Sequence, residues 1–442
     1  MLIGTVGAFA ASSHSGPAPE SVPLALLLCV RQPSRSERIG QLRHLDWTHG
    51  PLHYRAFRHA LIARVVSSGG SWMQTVAAGW LIYQLTESAA AVGVLTVVSR
   101  APGIALFSVG GQLAQRHDAR RVALVLSLLQ VIPAVLLAVV SWLDADTEVA
   151  IYLLVLAGGV LGALATAPTA WISSHSVPQE LTKKAIGESS IAYNLARFVG
   201  PLLGGGVVTA LGAGWCFAIN AATYLVMAWA VWTLPRRPMP HEDKRVRFVG
   251  AVRRTLAHPL LGVVFLGSIT FAILVAPVES LAPAIAHRHG EGAHVLGFLL
   301  GGLAVGGLIG NVLRDWVDRH GVPMDRLMGA SLLASALGMV GLALAPSVVV
   351  AVGAMVCCGI FWEVIFVESL SAMETAIPTI SGVLTGVFFT ATTAGATLGA
   401  LLVGGLMDVV GVEVGLGTAA LGAAVYGTWR IVRPVPTVAP AS

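Results

Sequence analysis

The chain has 442 residues, 11% of them charged and 55% hydrophobic, with a formal net charge of +5. An ordinary soluble domain carries roughly a quarter charged residues, so the composition excludes a water-soluble protein and leaves no room for a soluble domain between the apolar runs. The basic residues are scattered between those runs with few aromatics among them, which argues against nucleic acid and fits a positive-inside distribution.

Residues 1–54 differ from the rest, with Pro, Ser and Arg throughout and one short apolar run, Pro23 to Val30. That run is too short to span a bilayer, and the first sixteen residues lack the positive n-region of a secretory signal. They are expected to be a disordered cytoplasmic tail, or upstream sequence read through from a wrongly assigned start.

From Phe57 onward, apolar runs of about 20 residues recur, each able to cross a hydrocarbon core of about 30 Å as a helix. Turn and charge signals place six near 57–83, 89–114, 121–143, 149–173, 185–211 and 213–234. Six more follow near 258–285, 293–313, 325–345, 347–371, 381–408 and 411–432. The longest polar connection, Arg236 to Pro259, separates the sets, and its basic run from Lys244 to Arg254 is expected to meet anionic lipid headgroups. The domains expected are helical sets at 55–235 and 258–433, a cytoplasmic linker at 236–257 and a tail at 434–442.

Orientation follows from the 27 Lys and Arg. Arg64, Arg100 and Arg197 fall within spans and Arg288 in a loop on one side. All the others lie in the tails or in the loops after spans 2, 4, 6 and 8. Both termini should therefore be cytoplasmic. Glu87, Asp144, Asp146, Glu148 and Glu291 mark the opposite side. The four cysteines, Cys29, Cys216, Cys357 and Cys358, have no metal-like spacing.

The two sets resemble each other at an offset of about 200 residues: Gly204 to Gly212 in span 5 lines up with Val403 to Gly411 in span 11, so that Gly205 and Gly206 fall on Gly404 and Gly405. Six plus six spans with internal symmetry is how many secondary transporters are built. The fold class expected is an all-α membrane protein of twelve transmembrane helices in two pseudo-symmetric six-helix bundles.

Three stretches carry a family resemblance. "GGQLAQRHDARR", Gly110 to Arg121, resembles the loop between spans 2 and 3 of the major facilitator superfamily, with matches at Gly111, Leu113, Arg116, Arg120 and Arg121; Gln115 stands where that family usually has Asp. "NLARFVGPLLGGG" in span 5, with Arg197, Gly200, Pro201, Gly204 and Gly205, resembles the element associated with exporters and antiporters of that superfamily. Stretches at 57–88, 177–205 and 373–408 resemble the branch containing the enterobactin exporter, although "ISGV" before span 11 replaces that branch's basic turn.

The resemblance implies proton-driven export of a small molecule, a siderophore or an amphiphilic drug, by two halves rocking around a central site. It implies that the Gly110–Arg121 loop latches the halves on the cytoplasmic side when the site opens outward. An Asp at position 115 would meet the positive N-terminus of span 11, an interaction of about 0.3–1 kcal/mol, rising to about 2 when partly buried. Gln115 loses the charge, so a several-fold shift away from the outward-open state is expected, with Asp118 or Asp315 compensating in part.

An ionisable residue within a span costs about 2.5–3.5 kcal/mol on insertion scales and should face a cavity or a partner. Arg64 and Arg100 are candidates for substrate or proton-coupling roles. Arg197 is expected to bond polar groups of the first half and to act conformationally. Glu363, beside Phe361 and Trp362 in span 10, is the leading proton-coupling candidate, because a carboxyl among aromatic neighbours is suited to holding and releasing a proton. Glu368 is expected at a solvated helix end or cytoplasmic gate, and Glu279 at the outer rim of span 7. His287, His289 and His294 lack fixed helical spacing, and no metal or other cofactor is expected.

The leading reading is a monomeric transporter whose partners are its small-molecule substrate, protons and membrane lipids. An importer of a small polar solute on the same fold is the alternative, and a non-transporting receptor or a membrane enzyme is weaker. No span holds the grouped acid, base and nucleophile that an enzyme needs.

Overall fold

A computed structural model describes residues 50–145, 147–236, 248–288, 292–320, 322–375 and 381–433. Among these residues there are fifteen α-helices, two short 3-10 turns and no strand. The expectations for residues 1–49 and 434–442 lie outside the described residues.

The first set comprises α1 (Arg55–Thr86), α2 (Ala89–Arg116), α3 (Ala119–Trp142), α4 (Glu148–Ser174), α5 (Thr182–Leu211) and α6 (Ala213–Thr233). A short amphipathic helix, α7 (Phe248–Ala257), occupies part of the connection, an element not foreseen from the sequence. The second set comprises α8 (Pro259–Leu274), α9 (Pro277–Ser280), α10 (Ala282–Arg288), α11 (Ala293–His320), α12 (Met324–Ala343), α13 (Val348–Thr375), α14 (Ser381–Val410) and α15 (Val412–Val432). Ten of the helical segments are long and apolar enough to cross a membrane. α1 and α15 reach 32 and 21 residues but are richer in Gly, Ser and Thr. Large apolar side chains stand exposed along the outside, such as Leu128, Ile132 and Leu136 of α3 and Leu337 of α12. Such faces suit lipid, not water.

Helix ends follow local chemistry. Ser88, Asp118, Thr147 and His258 each accept a backbone N–H as N-caps, as expected for short polar side chains. Gly212 and Gly411 have φ of 92° and 87°, a left-handed region that favours glycine. They join α5 to α6 and α14 to α15, so the repeat seen in the sequence ends in the same backbone turn in both sets.

Span 7 is not the single helix expected near 258–285. Pro277 and Pro283 lie within it, and proline removes a backbone donor and clashes with the preceding turn. The N–H groups of Val275 and Ala276 both turn back to the Phe271 carbonyl, at 2.8 and 3.0 Å, and α8 stops there. One short turn, α9, then carries Glu279.

Within the first set, α1 packs on α5 and α6, α2 on α4, and α3 on α4 and α6; within the second, α11 packs on α13 and α12 on α13 and α15. Two seams join the sets: α2 lies along α14, and α5 along α11. The close approaches on both seams cluster at one end, here called the acidic end because the turns at Glu87 and Asp144 lie there. A Cβ on Gly93 would sit 2.6 Å from the Ala400 carbonyl oxygen, and one on Gly404 2.6 Å from that of Ala89. On the other seam, a Cβ on Gly205 would sit 2.6 Å from the Ala293 carbonyl oxygen. The opposite, basic end carries the Gly110–Arg121 loop.

Candidate functional site

The break in span 7 exposes its purpose when its side chains are followed inward. Glu279 on α9 is only 8% exposed. One carboxylate oxygen accepts from Arg197 of α5 at 2.6 Å and the other from Arg100 of α2 at 3.4 Å. The carboxylate belongs to the second set and both guanidinium groups to the first, so this ion triad bridges the halves of the molecule. A continuous helix would not aim a residue from one short turn in this way, and buried charges persist only when paired.

Aromatic faces complete the enclosure. The Arg197 guanidinium carbon lies 5.6 Å from the ring centre of Trp72 on α1 and 5.2 Å from that of Trp362 on α13, within reach of cation–π attraction. Arg197 therefore sits between one aromatic plate from each half. Trp362 meets Phe271 edge-on at 5.4 Å, and Phe366, Phe388 and Phe389 form a further cluster with ring centres 5.7–5.8 Å apart. Between α8, α13 and α14 these rings line a cavity of about 130 Å³, with Thr392, Thr393 and Ser268 as polar points and Arg100 on its wall. The combination is an apolar chamber with a few placed polar groups and one cation, the usual make-up of a small-molecule site.

Two sequence expectations are corrected here. Glu279 is a buried central residue, not a rim residue. Arg197 pairs with the second half, not with polar groups of the first. Nothing in the span pattern could have indicated this, because the partners are 82 and 179 residues apart. The clue was the Pro277 and Pro283 pair around a lone acid, a discontinuous helix of the sort that marks binding sites in transporters.

Of the three candidate coupling residues, only Arg100 lies in this cluster. Glu363 is on α13 beside Trp362 but faces α11, accepting from the Asn311 side chain at 3.0 Å. Glu368 is half-buried further along α13. Arg64 lies on α1 near Tyr193, and its buried Nε has no hydrogen-bond partner among the described residues. His287 packs on Tyr83 and His294 on Phe298, with ring centres 5.2 and 6.0 Å apart; His289 lies outside the described residues.

The span 5 motif works by close approach. Cβ atoms on Gly200 and Gly204 would lie 2.6 Å from the Trp72 Cβ and 3.0 Å from the Met73 Cα, so these glycines seat α5 on α1. Gly205 seats it on α11 across the seam, and the Pro201 carbonyl faces Gly297 of α11.

At the basic end, Leu113 packs with Val122, Leu126 and Ala165, while Arg116 ends α2. Asp118 caps α3, accepting from the Arg120 and Arg121 N–H groups at 2.9 and 3.4 Å, and pairs with Arg236 at 3.4 Å. The Arg120 guanidinium donates to the Trp232 carbonyl. Gly111 has room for a side chain, and Gln115 is half-buried with no side-chain hydrogen bond among the described residues. In this conformation the loop is tied to its own half. Asp118 is committed to α3 and Arg236, so it does not replace the carboxylate missing at position 115. The side chain of Asp315 lies outside the described residues.

A multi-pass bundle whose two seams enclose a charged, aromatic chamber is a membrane transporter of the major facilitator class. A family model described as transmembrane secretion effector matches residues 47–441, and the chain belongs to that family of the major facilitator superfamily. Curated relatives include the enterobactin exporter EntS of Salmonella choleraesuis (strain SC-B67), 29% identical over 361 residues, covering 79% of this chain and 85% of that protein. EntS of Escherichia coli O1:K1 / APEC is 28% identical over 360 residues, with the same coverage. Among solved structures, the nucleoside transporter NupG aligns with a TM-score of 0.67 at 13% identity, covering 86% of this chain and 98% of that one. A bacterial homologue of the human lysosomal transporter Spinster, in an inward-facing and occupied conformation, aligns with a TM-score of 0.66 at 18% identity, covering 86% and 96%. At these identities the structural matches speak to fold alone. The family and its relatives are transporters, not enzymes.

Proposed function

We propose that this protein is a proton-coupled exporter in the cell membrane. It has twelve spans in two six-helix halves at 55–235 and 258–433, and moves a siderophore or amphiphilic small molecule by alternating access. The observation that carries this reading is the Arg100–Glu279–Arg197 triad, which joins the halves beside the aromatic chamber. With the basic end and both termini in the cytoplasm, the joined acidic end faces outward.

One carboxylate balances two cations, so its protonation would leave two unpaired guanidinium groups across the seam. At about 4 Å and an effective dielectric constant of about 20, each such attraction is on the order of 4 kcal/mol, ample to bias which end is closed. Glu279 is thus the carboxyl whose proton uptake acts most directly on the seam, and Glu363, bonded to Asn311 of α11, is the second candidate. Arg100, the more loosely held cation, is placed to meet an anionic or carbonyl-rich substrate against the aromatic wall. Ligand pockets usually measure about 300–1,000 Å³. A cavity of about 130 Å³ therefore calls for further parting of the halves as substrate enters. The EntS relatives are enterobactin exporters, which supports export of a siderophore-like molecule.

Purified protein in proteoliposomes tests this. Efflux of a catecholate siderophore that depends on an imposed proton gradient is expected, and a cationic dye tested in parallel separates the two substrate classes. Movement of neither, or movement unaffected by the gradient, would overturn the proposal.

A further inference from the structure

Asp408 lies in the last turn of α14, at the acidic end, where a carboxylate on its own helix is out of place: the C-terminus of a helix carries the negative end of its dipole. The residue instead reaches across the seam to the first turn of α2. Its two oxygens accept the Ala89 N–H at 2.7 Å, the Ala90 N–H at 3.0 Å and the Ser88 hydroxyl at 2.5 Å. The Ser88 hydroxyl oxygen accepts the Ala91 N–H at 3.0 Å, and the Val92 N–H turns to the Ser88 carbonyl at 3.4 Å.

A helix start leaves four N–H groups without partners in the helix. Here two of the four are satisfied by a residue of the other half, and a third by a hydroxyl which that residue orients. Gly93 against Ala400 and Gly404 against Ala89 hold the backbones close enough for these bonds to form. The acidic end of this seam cannot part without stripping the cap from α2.

We infer that Asp408 is an outer latch, a positioning residue that holds the acidic end shut while the chamber is open at the basic end, and that its release is a required step of each transport cycle. The corresponding position in the repeat, Thr209 of α5, bonds its own helix at the Gly205 carbonyl. It lines a cavity of about 630 Å³ at the α5–α11 seam together with Trp80, His287 and Arg288. The latch is therefore one-sided: the α2–α14 seam is held by Asp408, and the α5–α11 seam closes on the approach of Gly205 to Ala293 and Gly297. Opening hinges on the first.

The inference rests on the alternating-access reading, and the test separates the two. Asp408→Asn, Asp408→Ala and Asp408→Glu are compared in the full chain with native cysteines replaced. Ala400→Cys reports on the seam and Thr392→Cys on the chamber, each labelled by an impermeant maleimide from its own side. Asp408→Asn should speed labelling at Ala400 roughly tenfold, a shift of about 1.4 kcal/mol, and slow it at Thr392, while Asp408→Glu restores both. The maximal efflux rate should change more than the substrate concentration at half-maximum. Unchanged labelling at Ala400 with a lowered Tm would make Asp408 a static cap and overturn the latch, although substrate still opened the acidic end. No response of either reporter to substrate would overturn alternating access and the latch with it.

Discussion

Asp118 and Asp408 cap helices at opposite ends of the molecule, and the difference between them defines its conformation. Asp118 caps α3, the helix immediately following it, and pairs with Arg236, just beyond the end of α6. Asp408 caps α2, a helix 320 residues away in the other half. The same chemistry stiffens one bundle at the basic end and ties two bundles together at the acidic end. What matters for transport is whether the cap crosses the seam.

The comparison can be broken first at the centre, where the largest effect is expected. Glu279→Gln removes the carboxylate that the central triad shares between the halves, and breaking a buried pair by removing one partner costs about 3–5 kcal/mol. Gradient-driven efflux should fall to background, with a lowered Tm in detergent; normal efflux would detach the triad from transport. Gly93→Val comes next. Its Cβ would sit 2.6 Å from the Ala400 carbonyl oxygen and 3.0 Å from the Leu401 Cα, so α2 and α14 must separate. Maleimide labelling at the acidic end should rise about as much as in Asp408→Asn, and unchanged labelling would mean that this seam does not gate that end.

Asp118→Ala removes a cap within one half, worth about 1 kcal/mol within a range of about 0.5–2. It should lower Tm by a few degrees and leave acidic-end labelling as it was. If that labelling changed, the distinction between the two caps would fail. The smallest effect belongs to Gln115→Asp, which restores the charge that the family motif carries. Chamber cysteines should become several-fold more reactive from the acidic side, and slower or equal labelling would count against a latch at the basic end.

Most of the architecture was legible in the sequence because lipid imposes it. Apolar runs of fixed length and the internal repeat that ends at Gly212 and Gly411 each follow from a local rule. The site was legible only in part. Arg100, Arg197 and Glu363 could be noticed as charges inside apolar runs, but the distance from Glu279 to its partners along the chain hid the triad, and a turn broken by Pro277 and Pro283 moved an apparent rim residue into the core. Asp408 carried a readable signal, an acid at the wrong end of a helix dipole, which becomes informative only once α2 is known to lie beside α14.

Spin-label distances across both ends offer the most direct test that the halves alternate about the central triad. One pair would join Leu85 to Val409 at the acidic end and the other His117 to His320 at the basic end, all four being exposed. In resting protein the acidic pair should give a short, narrow distribution and the basic pair a longer one. Substrate with a proton gradient should lengthen the first as it shortens the second, and Glu279→Gln should abolish that exchange. Two distances that move together, or that respond equally in the Glu279→Gln protein, would contradict it.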